Sequence, residues 1–79
     1  MRKSVEGLRP GDRVRVRRGM FAGRVGTLVP AWDPAVRANL RYWRARGHAA
    51  PPRYVRWALL IVAGRYVPVA FAPEELEPA

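Results

Sequence analysis

The fold of this chain is decided by residues 11–29, GDRVRVRRGMFAGRVGTLV. Arginine and valine alternate over residues 13–17, and neighbouring side chains in a strand point to opposite faces of a sheet. A strand here places Val14 and Val16 on the face of a core and the arginines in solvent. Proline, glycine and aspartate within residues 8–12 predict a turn just before this strand.

Three glycines interrupt the stretch that follows the first strand. Gly19, Gly23 and Gly26 punctuate a short connection, after which residues 27–29 resume a strand that Pro30 ends. The pattern predicts a hairpin with a glycine-rich loop. The glycines could be required for the backbone conformation of the loop, or they could allow the loop to bind a phosphate. We favour backbone geometry because the loop has neither a lysine followed by serine or threonine nor a dinucleotide fingerprint.

Residues 34–46 are predicted to form a helix. Asp33 is a suitable N-cap, Pro34 suits the first helical position, and Gly47 suits the position after the C-cap. Two stripes run along this helix at the spacing of its turns. Val36, Leu40 and Trp43 form an apolar stripe, and Arg37, Arg41 and Arg44 form an outward-facing arginine stripe beside it.

The strand predicted over residues 54–62 is apolar on both faces from Trp57 onward. It follows a stiff connection over residues 47–53, which contains two adjacent prolines. A strand with two apolar faces must be covered on both. We therefore expect the core to cover one face and the apolar stripe of the helix to cover part of the other.

The chain is predicted to end with one long strand and a short closing element. A turn over residues 63–65 precedes alternating residues 66–71, in which Pro68 requires an edge position or a bulge. Residues 73–78 are predicted to form a single helical turn or a short strand anchored by Leu76. With 79 residues in total, the whole chain is predicted to be one domain.

The runs GDRVRV (11–16), GMFAG (19–23) and GTLV (26–29) together resemble the KOW motif. This motif occurs in the C-terminal domain of the bacterial transcription factor NusG and in a ribosomal protein of the large subunit. The closing residues 63–78 resemble the last two strands of the same NusG domain. The resemblance implies an all-β fold, a small SH3-like (KOW) barrel of about five strands, and it covers about half of the chain.

Residues 31–53 depart from the KOW pattern. They form an insertion, with a helix at about 34–46, where the family has a short turn between the second and third strands. The resemblance implies a module that docks on RNA, ribosomal proteins or the transcription machinery through loops near the glycine hairpin. By position, the contact residues would be Arg17, Arg18, Met20, Phe21 and Arg24.

A second, shorter resemblance concerns GH (47–48) and PRYVR (52–56), taken with the first strand. These runs are similar to a stretch of the β subunit of nitrile hydratase, which also carries an SH3-like barrel. In that family the glycine-containing hairpin follows the Tyr-Val-Arg segment, the reverse of the order here. We interpret this similarity as coincidence or distant kinship.

The net charge of +9 is distributed unevenly along the chain. Fourteen of the 15 basic residues are arginine; residues 1–66 carry +12 and residues 67–79 carry −3. A field of this sign attracts polyanions and raises their association rate. Arginine-rich codon usage on a solvated surface is the alternative explanation. The periodic placement of the arginines favours a functional one.

Nucleic acid, RNA in preference to DNA, is the first predicted partner. Phosphate contacts would come from the outward arginines of the first strand, the glycine loop and the helix. Tyr42 and Trp32 are candidates for stacking on bases, whereas Trp43 and Trp57 are expected to pack within the fold. The predicted nucleic-acid-binding residues are Arg13, Arg15, Arg17, Arg18, Arg24, Arg37, Arg41, Tyr42, Arg44 and Arg46.

A protein-docking module is the alternative hypothesis. Met20, Phe21 and the insertion would then bind a ribosomal or RNA-polymerase-associated protein, while the charge tunes the encounter. A small phage or plasmid regulator that binds a host enzyme is a third possibility that the sequence does not separate from the second.

Catalysis, metal binding and cofactors are not predicted. The chain has no cysteine, His48 is its only histidine, and its only serine, Ser4, lies near the N-terminus. Residues 1–6 lack the apolar run of a signal peptide, and the run 57–63 is too short to span a bilayer. We therefore expect a cytoplasmic, non-enzymatic protein that does not contact membranes; its oligomeric state is left open.

Overall fold

Five antiparallel strands and one α-helix make up residues 7–79, the part of the chain that the computed structural model describes. The predictions for Ser4 and for a missing signal peptide fall on residues 1–6, outside the described residues. The elements are β1 (Arg13–Val16), β2 (Val25–Val29), α1 (Pro34–Ala45), β3 (Arg56–Val62), β4 (Arg65–Phe71), a 3-10 turn (Pro73–Glu75) and β5 (Leu76–Pro78).

The strands form a single sheet in the order β4-β3-β2-β1-β5. The helix lies between β2 and β3 in the chain, as predicted. Pro68 lies on β4, opposite Leu59, and β4 is an edge of the sheet, so the predicted edge position is confirmed. Residues 73–78 adopt both forms that were considered for them, a 3-10 turn followed by a short strand that pairs with β1.

The core lies on one face of the sheet, as the alternation of arginine and valine predicts. Val14 and Val16 are buried, whereas the arginines on either side of them are exposed. Every strand contributes to the same cluster, which consists of Leu8, Val14, Val16, Leu28, Ala58, Leu60, Phe71 and Leu76, with Phe21, Val62 and Val69 packed against it.

The outer face of β3 is covered at only one end. Trp57 is buried, but two positions along the face Leu59 is partly exposed, and Ile61 is 55% exposed. Helix α1 contacts β4 and reaches Trp57 through a cavity that Leu40 and Trp43 also line. The expected cover by the helix is therefore absent at the end of β3, and at its start Trp57 shares a cavity with Leu40 and Trp43 of the helix.

Helix α1 begins and ends where its capping residues predict. Asp33 accepts a hydrogen bond from the backbone N–H of Ala35 at 2.9 Å, and Pro34 occupies the first helical position. The last helical residue is Ala45, one residue earlier than predicted, and Gly47 follows with a φ of 85°. Glycine adopts this left-handed conformation without steric cost, so it stops the helix here.

The apolar stripe of α1 is buried unevenly. Val36 is completely buried, Leu40 is partly buried, and Trp43 is 43% exposed. Trp43 therefore differs from the prediction that it packs within the fold. Burial of the stripe therefore decreases from the N-terminal to the C-terminal end of the helix.

Replacing Asp33 tests how much the helix depends on its cap. We expect Asp33→Ala to lower the free energy of unfolding by about 1 kcal/mol, because one helix N–H loses its acceptor. For a domain of this size that corresponds to a fall in Tm of about 4–8 °C. Asp33→Asn is the matched control, since it removes the same charge but keeps a capping oxygen. Equal Tm values for the two variants would show that the cap does not stabilise the helix.

No helix within residues 7–79 is both long enough and apolar enough to cross a membrane.

Candidate functional site

The arginine stripe of α1 is a cationic surface that has no ion pair with any carboxylate in residues 7–79. Arg37, Arg41 and Arg44 are exposed and, with Leu40, line a depression of about 210 Å³. Successive stripe residues are separated by about 6 and 4.5 Å of rise along the helix axis. Among residues 7–79, no carboxylate forms an ion pair with any of the three. The stripe is therefore free to bind anions.

The C-terminal end of α1 carries a cluster of rings beside this stripe. The guanidinium carbon of Arg46 lies 4.1 Å from the centroid of the Tyr42 ring. The Trp43 ring makes edge-to-face contacts with Tyr42 and His48, both with centroids 5.1 Å apart. His48 is thus an aromatic neighbour of Trp43, and residues 7–79 contain no group of three metal-ligating side chains.

The arginines of β1 are in a different electrostatic environment. Strand β5 pairs with β1 and places Glu77 opposite Arg15. The Glu77 carboxylate lies 3.8 Å from both Arg15 Nη1 and Arg17 Nε, and Arg17 Nη1 donates to the backbone carbonyl of Glu74 at 3.5 Å. Exposed pairs of this kind add little to stability. They nevertheless compensate part of the positive charge on this strand.

The pairing of Glu77 with the arginines near β1 was not predicted from the sequence. A signal was present, because the charge of −3 over residues 67–79 follows a strongly basic segment. Because opposite charges attract, this pattern could have been used to predict that the acidic end lies against a basic strand. The consequence is that the two predicted arginine patches are unequal, and the helical patch is the less compensated one.

The glycine loop offers few groups to a phosphate. The backbone N–H groups of Ala22, Gly23 and Arg24 donate to carbonyls within the hairpin, at 2.8–3.1 Å. The Arg24 side chain donates to the carbonyl of Ile61 at 2.8 Å. These bonds fit the interpretation that the glycines are required for the backbone conformation of the loop. Arg18, in the same loop, is exposed, as is Arg13 on β1.

The two residues of the protein-docking alternative face in different directions. Met20 is 90% exposed. Phe21 is packed against the core, and its ring makes an edge-to-face contact with Phe71 at 6.3 Å between centroids. Met20 therefore remains available to a partner, while Phe21 holds the loop against the domain.

The aromatic residues considered for base stacking are partly available. Trp32 is 75% exposed, Tyr42 is 51% exposed and Tyr54 is 65% exposed. Trp57 is buried, as predicted, but its edge lines three adjoining cavities between α1 and the segment before β3.

Comparison with protein families and curated proteins adds no information on these residues. No protein-family model and no curated protein matches the chain.

Proposed function

We propose that this protein is a nucleic-acid-binding module of the KOW type, which binds RNA in preference to DNA through arginine-phosphate contacts. The observation that supports this proposal most strongly is the arginine stripe of α1: its three arginines line one depression, and none of them has a carboxylate partner among residues 7–79. The module acts by binding, with no catalytic step, in the cytoplasm, where transcription and translation provide RNA.

The composition of the core supports a closed, barrel-like sheet. Neighbouring strands lie about 4.8 Å apart, so the edge strands of a flat five-stranded sheet would be separated by about 19 Å. Phe71 of β4 and Leu76 of β5 come from opposite edges and yet belong to the same buried cluster. Membership of one cluster favours a curved sheet, which supports the SH3-like barrel that the KOW resemblance implies.

The chemistry of arginine supports phosphate as the ligand. Its planar guanidinium remains charged and can donate two parallel hydrogen bonds to one phosphate. Contacts to phosphate carry no sequence information directly, so we expect affinity with little base specificity from the stripe itself. Arg13 and Arg18, which are exposed, would add to the attractive field.

A salt titration of binding tests this function. We expect labelled single-stranded RNA to bind with micromolar or tighter affinity near physiological salt, measured by fluorescence anisotropy. With three to five phosphates neutralised, the slope of log affinity against log salt should be about −2 to −3.5 for a single strand. Duplex RNA and duplex DNA are titrated in parallel to rank the classes of nucleic acid.

The opposite result would be weak binding to all three probes that disappears below physiological salt. It would mean that the positive charge is incidental and would overturn the nucleic-acid assignment.

Protein docking is the second candidate, and the exposure of Met20 favours it. An apolar side chain that is 90% exposed at the tip of a loop is suited to insertion into a pocket of a ribosomal or polymerase-associated protein. Under this candidate, capture of the partner survives nuclease treatment and about half-molar salt, because screening removes contacts between exposed charges.

A further inference from the structure

An apolar groove runs from the end of α1 to the start of β3, beside the arginine stripe. Three adjoining cavities of about 340, 380 and 320 Å³ form it, and Trp57 lines all three. We call it the Trp57 groove. Its walls come from α1 and from the two segments that flank it in the chain, and they include Ala31, Leu40, Trp43, Ala50, Pro51 and Val55.

The groove combines apolar walls with a cationic rim. Arg44 lines both the first cavity and the depression of the arginine stripe, so the two surfaces are continuous. Arg53 lines the second and third cavities, and Arg56 lines the third. No acidic residue among those described lines any of the three cavities. The cationic rim and the apolar walls together favour an occupant that places negative charge at the rim and apolar groups inside the groove.

Aromatic rings are placed at both ends of the groove. At one end the Trp43 ring is 43% exposed, supported edge-on by Tyr42 and His48. At the other end Trp32, which lines the third cavity, is 75% exposed. Rings held in this way are platforms on which any nucleobase can stack, because every base has a π-face.

We propose that the Trp57 groove holds unstacked bases of single-stranded RNA while the sugar-phosphate backbone follows Arg44, Arg53 and the arginine stripe. This proposal rests on the proposed function and specifies its ligand as single-stranded. Bases in a duplex are paired and stacked, so they cannot enter a cleft unless the helix opens. A cavity of about 340 Å³ lies within the range of small-ligand sites and is therefore large enough for a flat ring system.

Comparison of single-stranded and duplex RNA of equal length is the first test. Binding is measured by anisotropy at one salt concentration with the wild-type protein and with Trp43→Leu, which removes the ring and keeps an apolar side chain. Loss of one stacking platform should weaken single-strand binding by about tenfold and leave duplex binding unchanged. Tyr66→Leu is the matched control, since Tyr66 is an exposed ring on β4 that lines none of the three cavities.

The outcomes separate this proposal from the proposed function. Equal affinity of the wild type for both RNAs, with no effect of Trp43→Leu, would overturn the groove proposal and leave nucleic-acid binding in place. Absence of binding to either RNA even at low salt would overturn both. If the groove binds an apolar segment of a protein instead, the wild type would bind both RNAs equally and Trp43→Leu would have no effect.

Photo-crosslinking of the wild type keeps the test valid if Trp43→Leu fails to fold. Single-stranded RNA containing 5-iodouridine is irradiated with the protein, and the modified peptides are identified by mass spectrometry. Crosslinks at Trp43, Trp57 or Trp32 would support the proposal. Crosslinks confined to β1 and the glycine loop would overturn it.

Discussion

The triple variant R37E/R41E/R44E is expected to bind single-stranded RNA about 100-fold more weakly than the wild type near physiological salt. Three adjacent phosphate contacts are replaced by three repulsive charges in one surface. The slope of log affinity against log salt should become shallower by about 2, because about 0.7 counterions are released per phosphate contact on a single strand. Anisotropy titrations over a range of salt concentrations measure both quantities.

The fold should tolerate this change. The three side chains are exposed and have no ion pair among residues 7–79, so no packing or hydrogen bond is lost. Glutamate near the C-terminal end of a helix is mildly unfavourable because of the helix dipole. The neutral variant R37Q/R41Q/R44Q avoids this cost and should show a smaller loss of affinity in the same direction. Circular dichroism verifies that both variants are folded.

A charge-matched control separates the stripe from the overall field. R9E/R65E changes the net charge by the same amount as R37E/R41E, but these two exposed arginines lie before β1 and at the start of β4. Because they are not adjacent, we expect them to influence long-range attraction more than direct contact. An equal loss of affinity in R9E/R65E and R37E/R41E would mean that the stripe is not a specific binding surface.

Gly26→Ala is expected to destabilise the domain by about 3 kcal/mol, although alanine is normally the better residue at a backbone conformation that both can adopt. Gly26 lies on β2 opposite Val14. A Cβ atom there would lie 2.5 Å from the Leu59 carbonyl oxygen and 2.5 Å from Leu60 Cδ2. The oxygen belongs to the backbone of β3, so the clash is relieved only by moving a strand whose residues fill the core.

A small domain has little stability to lose, so this one methyl group should leave a substantial unfolded population. Urea denaturation followed by tryptophan fluorescence measures the loss. Gly23→Ala is the control: its Cβ would have no atom within 4 Å, but its φ of 86° is unfavourable for alanine, at about 1 kcal/mol. If Gly26→Ala were no more destabilising than Gly23→Ala, the close approach of β3 would not limit the residue at this position.

Much of the fold was predictable from the sequence because its signals are local. Alternation of arginine and valine predicts which face of β1 is buried, since the period of two is a property of the strand itself. Asp33, Pro34 and Gly47 predict the ends of α1 because a helix end must satisfy its own backbone groups with nearby residues. Pro68 predicts an edge because proline has no N–H to donate to a neighbouring strand.

The division of charge between surfaces was decided by tertiary structure. Arg15 and Arg37 carry the same charge and are both exposed, and nothing local distinguishes them. Only the pairing of β5 with β1, more than 55 residues apart in the chain, brings Glu77 to Arg15, whereas no carboxylate in the described part of the chain, residues 7–79, pairs with Arg37. Contacts between distant segments depend on how the whole sheet is arranged, which no short pattern encodes.

The sequence by itself determined that this chain is basic and strand-rich with one helix between its second and third strands, because those properties follow from composition and from periods of two and 3.6 residues. Tertiary structure alone decided where the charge remains free and where the apolar groove lies. Trp57 was recognisable as a buried residue, but it lines a groove only because α1 and the segment before β3 lie next to it in the fold. A groove is a space between segments, and its shape depends on the distances that folding sets between them.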